Sequence, residues 1–152
     1  MNNQLKFKTR VSFIQIIFQH LSTGNEINEI LTSFNENYKN TVVESFHDKK
    51  KIKFEFSSIF LNKLTNFYIN YVESENHIKI INSYIDIERK FQKWDIINQS
   101  ILIGAISELK NSNIDKIKIT LNDYLNLSKL FIDKSEVGIL NAVLDKLLND
   151  KK

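Results

Sequence analysis

Proline is absent from this chain of 152 residues, and glycine occurs only three times. Average usage would give roughly 8 prolines and 11 glycines in a chain of this length. β-Sandwiches and barrels need many tight turns, which favour glycine, proline or asparagine at their strained positions. Asparagine is plentiful here, so the shortage alone does not exclude a sheet. The sequence predicts an all-α protein with a single domain, residues 1–152, built as a compact bundle of about seven helices.

Apolar residues recur at helical spacing along most of the chain. The first helix is predicted from about Lys6 to Ser22, followed by Gly24 as a left-handed C-cap. Asn25 is the predicted N-cap of the second helix, and Ser135 that of the seventh. Residues 35–52 are expected to form a frayed helix end and a loop. The apolar residues that mark the other five helices are Phe56, Ile59, Phe60, Leu64, Phe67 and Tyr71; Ile78, Ile81, Tyr84 and Ile85; Ile97, Ile101, Ala105 and Leu109; Ile117, Leu121, Tyr124, Leu125 and Phe131; and Val137, Leu140, Val143, Leu144 and Leu147.

Composition excludes several kinds of site. Cysteine is absent, which rules out disulfides, thiolate zinc sites, iron–sulfur clusters and a cysteine nucleophile. No apolar run approaches the ~18–20 residues that span a bilayer, and the polar residues 1–4 do not resemble a secretory signal. We therefore expect a cytoplasmic protein that does not associate with membranes.

The sequence contains no recognisable catalytic constellation. His20, His47 and His77 lie in unrelated segments, and none is spaced as a metal ligand beside another histidine or a carboxylate cluster. The three glycines are too far apart to form a phosphate-binding loop or a nucleophile elbow. We expect no metal, no cofactor and no enzymatic activity, so a binding module is the predicted class.

Charge is distributed in blocks along the chain. Residues 1–25 carry a net charge of +3, residues 26–48 carry −4, residues 49–72 carry +4, and the remainder sums to zero. Two positive segments separated by a negative one are typical of a surface that attracts a polyanion. Lysines that only keep the protein soluble would give the same pattern, and charge alone leaves both interpretations open.

Four stretches occur in a characteristic order. Near the N-terminus, Arg-Val-Ser-Phe-Ile-Gln-Ile-Ile-Phe begins at Arg10. In the C-terminal third, Ile-Leu-Ile-Gly-Ala-Ile-Ser-Glu-Leu begins at Ile101, Lys-Ile-Thr-Leu-Asn-Asp-Tyr-Leu-Asn-Leu-Ser-Lys-Leu-Phe at Lys118, and Ile-Leu-Asn-Ala-Val-Leu-Asp-Lys at Ile139. This series resembles the NusB family of bacterial transcription antitermination factors. The matched stretches lie near both ends of the chain and follow the order of the family from end to end.

The resemblance implies an all-helical fold of two small subdomains and a role without catalysis. NusB proteins pair with a small-subunit ribosomal protein, also called NusE. The pair binds the boxA element of single-stranded nascent RNA, notably in ribosomal RNA operons, and helps the transcription elongation complex to ignore termination signals. Some members self-associate through the face that otherwise meets RNA, so a homodimer stays open.

The resemblance also implies candidate RNA-binding residues. The first helix supplies basic residues that would neutralise phosphates, and Gln15, which could hydrogen-bond a base edge or the backbone. Phe18 stands where the family has tyrosine and would stack on a base if exposed, although its place on the apolar stripe favours burial. Lys118 is a further candidate, although it could simply aid solubility. The full set of predicted RNA-binding residues is Lys6, Lys8, Arg10, Gln15, Phe18 and Lys118.

Several positions depart from the family pattern. Ser135, Gly138 and Ile139 stand where the family has an acidic, a basic and an aromatic residue, and the N-terminal segment has fewer basic residues than better-known members. The run Lys49–Lys53 is a candidate substitute for the missing charge. These departures motivate an alternative: a NusB-like protein–protein adaptor that has lost RNA recognition. An RNA-modifying enzyme carrying this domain at its N-terminus is disfavoured by the chain length.

Overall fold

Seven α-helices and one pair of short strands form most of the regular structure in the described residues, 1–44, 51–53, 55–74 and 76–150 of a computed structural model. The elements are α1 (Asn3–Thr23), α2 (Ile27–Ser33), β1 (Val42–Glu44), β2 (Lys51–Lys53), α3 (Ser58–Glu73), α4 (His77–Ser83), α5 (Ile96–Leu109), α6 (Ile117–Ser128) and α7 (Lys134–Asn149). They belong to two compact units, Met1–Thr65 and Asn66–Lys152. The predicted all-α class is confirmed.

Helix α1 organises the first unit. The side chain of Asn2 accepts a hydrogen bond from the backbone N–H of Leu5 at 2.7 Å and begins the helix. Gly24, with a φ of 73°, ends it as the predicted left-handed cap. The apolar side chains that α1 buries completely are Phe13, Ile14, Ile16 and Ile17. They face the core, and α1 packs against α2.

The start of α2 differs from the prediction by one residue. Glu26, rather than Asn25, is the N-cap, and its carboxylate accepts hydrogen bonds from the backbone N–H groups of Asn28 and Glu29 at 3.1 and 3.0 Å. A carboxylate at this position also interacts favourably with the positive end of the helix dipole. Asn25 instead offers its carbonyl to a ring nitrogen of His20 at 2.7 Å.

The prediction of a frayed helix and a loop for residues 35–52 is wrong in part. A π-helical turn, Phe34–Tyr38, continues α2, and strands β1 and β2 then pair in antiparallel fashion. The register places Val42 opposite Lys53 and Glu44 opposite Lys51. β-Branched residues within two otherwise polar segments favour this strand pair over a loop.

Helix α5 occupies the core of the second unit. Residues 100–109 are all buried, and the helix contacts both α6 and α7. A helix that is apolar on every side is stable only when neighbours surround it. One polar pair lies within this core, where the Tyr124 hydroxyl donates to the Glu108 carboxylate at 2.7 Å.

The N-cap of α7 is Asp133, two residues before the predicted Ser135. The Asp133 carboxylate accepts from the backbone N–H of Glu136 at 3.0 Å. The Ser135 hydroxyl donates to the same carboxylate at 2.8 Å. These hydrogen bonds hold the pKa of Asp133 below its usual value. Ser135 therefore supports the cap without being the cap itself.

Candidate nucleic-acid interface

Helix α1 presents one face away from its buried stripe. With 3.6 residues per turn, Lys8, Val11, Gln15 and Phe18 follow one another along the same side of the helix. None of the four is buried, whereas Phe13 and the other core residues of α1 lie on the opposite side. Three of the six predicted RNA-binding residues thus share one face, which we call the α1 face: Lys8, Gln15 and Phe18.

Phe18 is the aromatic residue of the α1 face, and 41% of its surface is exposed. The sequence-based expectation that it joins the core is therefore wrong. The apolar stripe that the core uses is centred on Phe13 and Ile17, and Phe18 lies at its edge. An exposed aromatic ring can stack on a base. Phe18 could do so without any rearrangement of the core.

Gln15 is half-buried between Phe18 and Lys8 on this face. Its amide oxygen, Oε1, is buried and has no hydrogen-bond partner among the described residues. Buried acceptors are paired in most proteins, and an unpaired one is unfavourable by about 1–3 kcal/mol. The side chain therefore has unused hydrogen-bonding capacity next to an exposed ring.

The predicted group of three exposed cations at the start of α1 does not form. Only 5% of Arg10 is exposed, and its guanidinium lies 5.3 Å from the centre of the Phe60 ring on α3. Arg10 precedes Ile14 and Ile17 by four and seven residues, so it shares the buried side of the helix with them. In this arrangement its guanidinium offers little surface to a phosphate.

The two lysines of this segment have different surroundings. The Nζ atom of Lys8 lies 3.5 Å from a carboxylate oxygen of Glu55, and both side chains are partly exposed. Lys6 is half-buried. It precedes Lys8 by two residues, and this separation puts the two side chains about 160° apart around the helix axis. Lys6 and Arg10, four residues apart, therefore share one side of the helix, and only Lys8 belongs to the α1 face.

Lys118 lies in the second unit, near the start of α6, and is exposed. Of the departures from the family pattern, Ser135 and Gly138 are exposed on α7, whereas Ile139 is half-buried. A side chain added at Gly138 would meet no atom within 4 Å. The α7 surface at Gly138 therefore has room for the basic residue that the family pattern expects there.

A partly buried polar network joins the starts of α5 and α7 in the second unit. Asn98 is 3% exposed and donates to the Glu136 carboxylate at 2.7 Å. The same carboxylate lies 3.5 Å from the guanidinium of Arg89. The Asn98 amide oxygen has no partner among the described residues. Sequence patterns do not indicate this contact, because it depends on tertiary packing.

One of the clefts in the second unit is lined by titratable side chains. This cleft has a volume of about 170 Å³, and its lining includes Tyr71, His77, Tyr84 and Lys110. Burial raises the pKa of Tyr71 to about 12, so its phenol stays protonated at neutral pH and cannot act as a base there. The described residues contain no group of three or more histidines and carboxylates arranged to hold a metal ion.

None of the helices in the described part of the chain is long and apolar enough to cross a membrane. The described residues form a mainly helical protein of two compact units, whose first helix carries an exposed aromatic ring, an amide and a lysine on one side. The chain belongs to the NusB family, whose family model matches residues 8–149. The resemblance drawn from the sequence is confirmed.

Similar proteins match over nearly the whole chain. A transcription antitermination protein NusB of Rickettsia bellii is 22% identical over 144 residues, which cover 94% of this chain and 89% of that protein. The protein of the same name in Rickettsia felis is 23% identical and is covered to 89%. That of a Bradyrhizobium species is 21% identical over 139 residues, covering 91% of this chain and 78% of the relative.

Proposed function

We propose that this chain is a transcription antitermination factor that binds boxA-type single-stranded RNA together with the ribosomal protein NusE. It acts in the cytoplasm, on the elongation complexes that transcribe ribosomal RNA operons. Membership of the NusB family and the names of the relatives support antitermination. The observation that carries RNA binding is the α1 face, where Phe18 is 41% exposed beside Gln15.

Each residue of the α1 face has a distinct task in this proposal. The Phe18 ring stacks on a base, a contact worth about 1–3 kcal/mol. The Gln15 amide hydrogen-bonds a base edge or the RNA backbone. Lys8 exchanges the Glu55 carboxylate for a phosphate. Lys118 is a separate exposed cation of the second unit and would make its own, weaker contact with RNA.

A protein partner is necessary because the α1 segment itself offers few free cations. Lys8 is the basic residue of the α1 face and can neutralise about one phosphate, so the predicted slope of log K against log salt is only about −0.7 for single-stranded RNA. Such a slope indicates weak binding at physiological salt. NusE would supply the additional contacts, as the family resemblance implies, and the complex rather than the chain alone would hold boxA RNA firmly.

The second candidate function is an adaptor that binds NusE without contributing to RNA recognition. The observation that favours it is the burial of Arg10 at 5% exposure, which removes one of three cations from the predicted RNA-binding set. The open surface at Gly138 also favours the adaptor function, because it lacks the basic side chain that the family pattern has there. Self-association is a third outcome that the same experiment detects.

The test is a titration of labelled boxA RNA with the full chain, with NusE and with both together. We expect weak binding by the chain alone, and at least tenfold tighter binding by the chain with NusE than by NusE alone. An RNA of the same length and composition but scrambled order is the control. If the chain co-purifies with NusE but adds nothing to RNA affinity, the adaptor function is correct. Size-exclusion chromatography of the chain alone reports a homodimer.

A further inference from the structure

Three lysines from separate parts of the first unit converge on one short segment, residues 55–58. Lys8 comes from α1, Lys53 from β2, and Lys39 from the turn after α2. The Nζ atom of Lys8 lies 3.5 Å from Oε2 of Glu55, and that of Lys53 lies 3.8 Å from Oε1 of the same carboxylate. One carboxylate therefore joins a helix lysine to a strand lysine.

Lys39 approaches the same segment from its other end. Its ammonium group donates a hydrogen bond to the Ser58 hydroxyl at 2.9 Å and lies 5.8 Å from the centre of the Phe56 ring. The residue remains exposed. An ammonium held by a neutral hydroxyl and a ring face keeps its charge available for an anion, because neither contact neutralises it.

The segment itself is tied to the body of the unit. The backbone N–H of Ser57 donates to the hydroxyl of Thr9 at 3.0 Å, and Thr9 is completely buried in α1. Phe56 is buried as well. Segment 55–58 is therefore fixed to α1. Lysines that contact a fixed segment lose less conformational entropy when they bind a ligand.

The charges of this cluster do not cancel. Lys8, Lys39 and Lys53 contribute three positive charges and Glu55 contributes one negative charge, which leaves a net charge of +2. The strand register places Lys53 opposite the apolar Val42, so the cross-strand neighbour adds no opposing charge. Exposed lysine–carboxylate pairs contribute little to stability, so an incoming phosphate can displace the carboxylate at low cost.

We propose that Lys39, Lys53 and Lys8 form a binding site for the phosphodiester backbone of single-stranded RNA, which we call the lysine platform. This inference rests on the proposed function and extends its RNA-binding surface from α1 onto the strand pair and the turn after α2. In the free protein Glu55 holds Lys8 and Lys53 in place and competes with phosphate for them. The predicted substitute for the missing N-terminal charge thus includes Lys53, whereas Lys49 and Lys50 lie outside the described residues.

Continuity with the α1 face favours RNA over an acidic protein as the ligand. Lys8 belongs to both surfaces, and Phe18 lies ten residues further along the same side of α1, about 15 Å along the helix axis. A stacked strand rises about 3.4 Å per nucleotide, so this distance corresponds to about four nucleotides. One RNA segment can therefore place phosphates at the lysine platform and a base on Phe18.

The test measures boxA RNA binding by the full chain in complex with NusE over a range of salt concentrations. We expect the double variant Lys39→Gln/Lys53→Gln to bind boxA RNA roughly tenfold more weakly. Its slope of log K against log salt should be smaller in magnitude by about 1.4, because two phosphate contacts are lost. The charge-conserving variant Lys39→Arg/Lys53→Arg is expected to bind like the native chain. Glu55→Gln removes the competing carboxylate, so its affinity is expected to increase roughly threefold. Thermal unfolding verifies that each variant is folded.

The matched control is Lys79→Gln/Lys93→Gln, which removes two exposed charges from the second unit and should change RNA affinity much less.

If the native complex binds boxA RNA but the Lys39→Gln/Lys53→Gln variant keeps the native affinity and slope, the lysine platform is wrong and the proposed function stands. Equal losses in the glutamine and arginine variants also overturn it, since they indicate a structural role. Weaker NusE binding with unchanged RNA affinity would assign the surface to the contact with NusE and overturn the lysine platform. A native complex that does not bind RNA overturns both proposals.

Discussion

The guanidinium of Arg10 lies 5.3 Å from the centre of the Phe60 ring, and the arginine is almost completely buried. A cation over an aromatic face is attracted by the ring quadrupole, and the attraction is stronger where water is excluded. This contact joins α1 to the first turn of α3 within the first unit. Arg10 therefore serves primarily to pack the unit together, although the sequence predicted it as part of an RNA-binding arm.

Arg10→Ala is expected to lower the free energy of unfolding by about 2 kcal/mol, because it removes a desolvated cation–π contact and the packing of a long side chain. Urea unfolding followed by circular dichroism measures this change. Lys6→Ala is the control, expected to stay within about 0.5 kcal/mol of the native value. A similarly small change for Arg10→Ala would contradict the packing role. Simultaneous replacement of Lys6, Lys8 and Arg10 should consequently destabilise the protein as well.

Phe18→Ala should weaken binding of boxA RNA by the complex with NusE by about 1–3 kcal/mol, because stacking on the ring is lost. The side chain is 41% exposed, so we expect a stability loss of no more than about 1 kcal/mol. Phe18→Tyr restores the residue that the family has at this position and keeps the aromatic surface. The tyrosine variant should therefore bind RNA like the native chain. If Phe18→Ala binds RNA as tightly as the native chain, no base stacks on Phe18.

Gly138 provides a test that separates RNA binding from the adaptor function. It lies inside α7 with open space around it, so Gly138→Ala should stabilise the protein by up to about 1 kcal/mol through helix propensity. Gly138→Lys should give a similar stability and, in addition, restore the basic residue of the family pattern.

If the chain binds RNA, the lysine variant should bind boxA more tightly than the alanine variant when NusE is present. Fluorescence titration of the two variants measures this difference at equal stability. Identical RNA affinities would favour the adaptor, or a binding path that does not pass this part of α7. The comparison with alanine is essential because it removes the effect of helix propensity from the result.

Periodicity predicted the helices well, because a long stripe of apolar residues at helical spacing leaves few alternatives. All seven predicted helices are present, including the largely buried α5. The caps were less predictable, since Asn25 and Glu26 are adjacent and both can accept hydrogen bonds from free backbone N–H groups. The strand pair was missed because each strand has only three residues, too few to establish an alternation.

The candidate site was harder to predict than the fold. The stripes through Phe18 and through Ile17 overlap on a helical wheel, and the sequence does not say which of them faces the core. The spacing of Arg10, Ile14 and Ile17 was the available signal that Arg10 is buried. No local signal unites Lys8, Lys39 and Lys53, because their proximity depends on where segment 55–58 lies in the folded unit.

The two buried tyrosines of α3, Tyr68 and Tyr71, make stability sensitive to alkaline pH. Burial raises the pKa of each phenol from its ordinary value of 10.0 to about 12. The folded state therefore binds more protons than the unfolded state between these two values, so the free energy of unfolding decreases as pH rises through this window. Below pH 10 both states keep their phenols protonated, and the tyrosines add no pH dependence there.

The measurement is urea unfolding at a series of pH values, with tyrosinate absorbance recorded in the folded protein. Tyr68→Phe removes one of the two titrating groups, so its stability should decline less steeply between about pH 10 and pH 12. Tyr38→Phe is the control, because Tyr38 is 40% exposed and should leave the slope close to that of the native chain. If Tyr68→Phe and Tyr38→Phe follow the native curve equally, burial of the Tyr68 phenol does not control the alkaline transition.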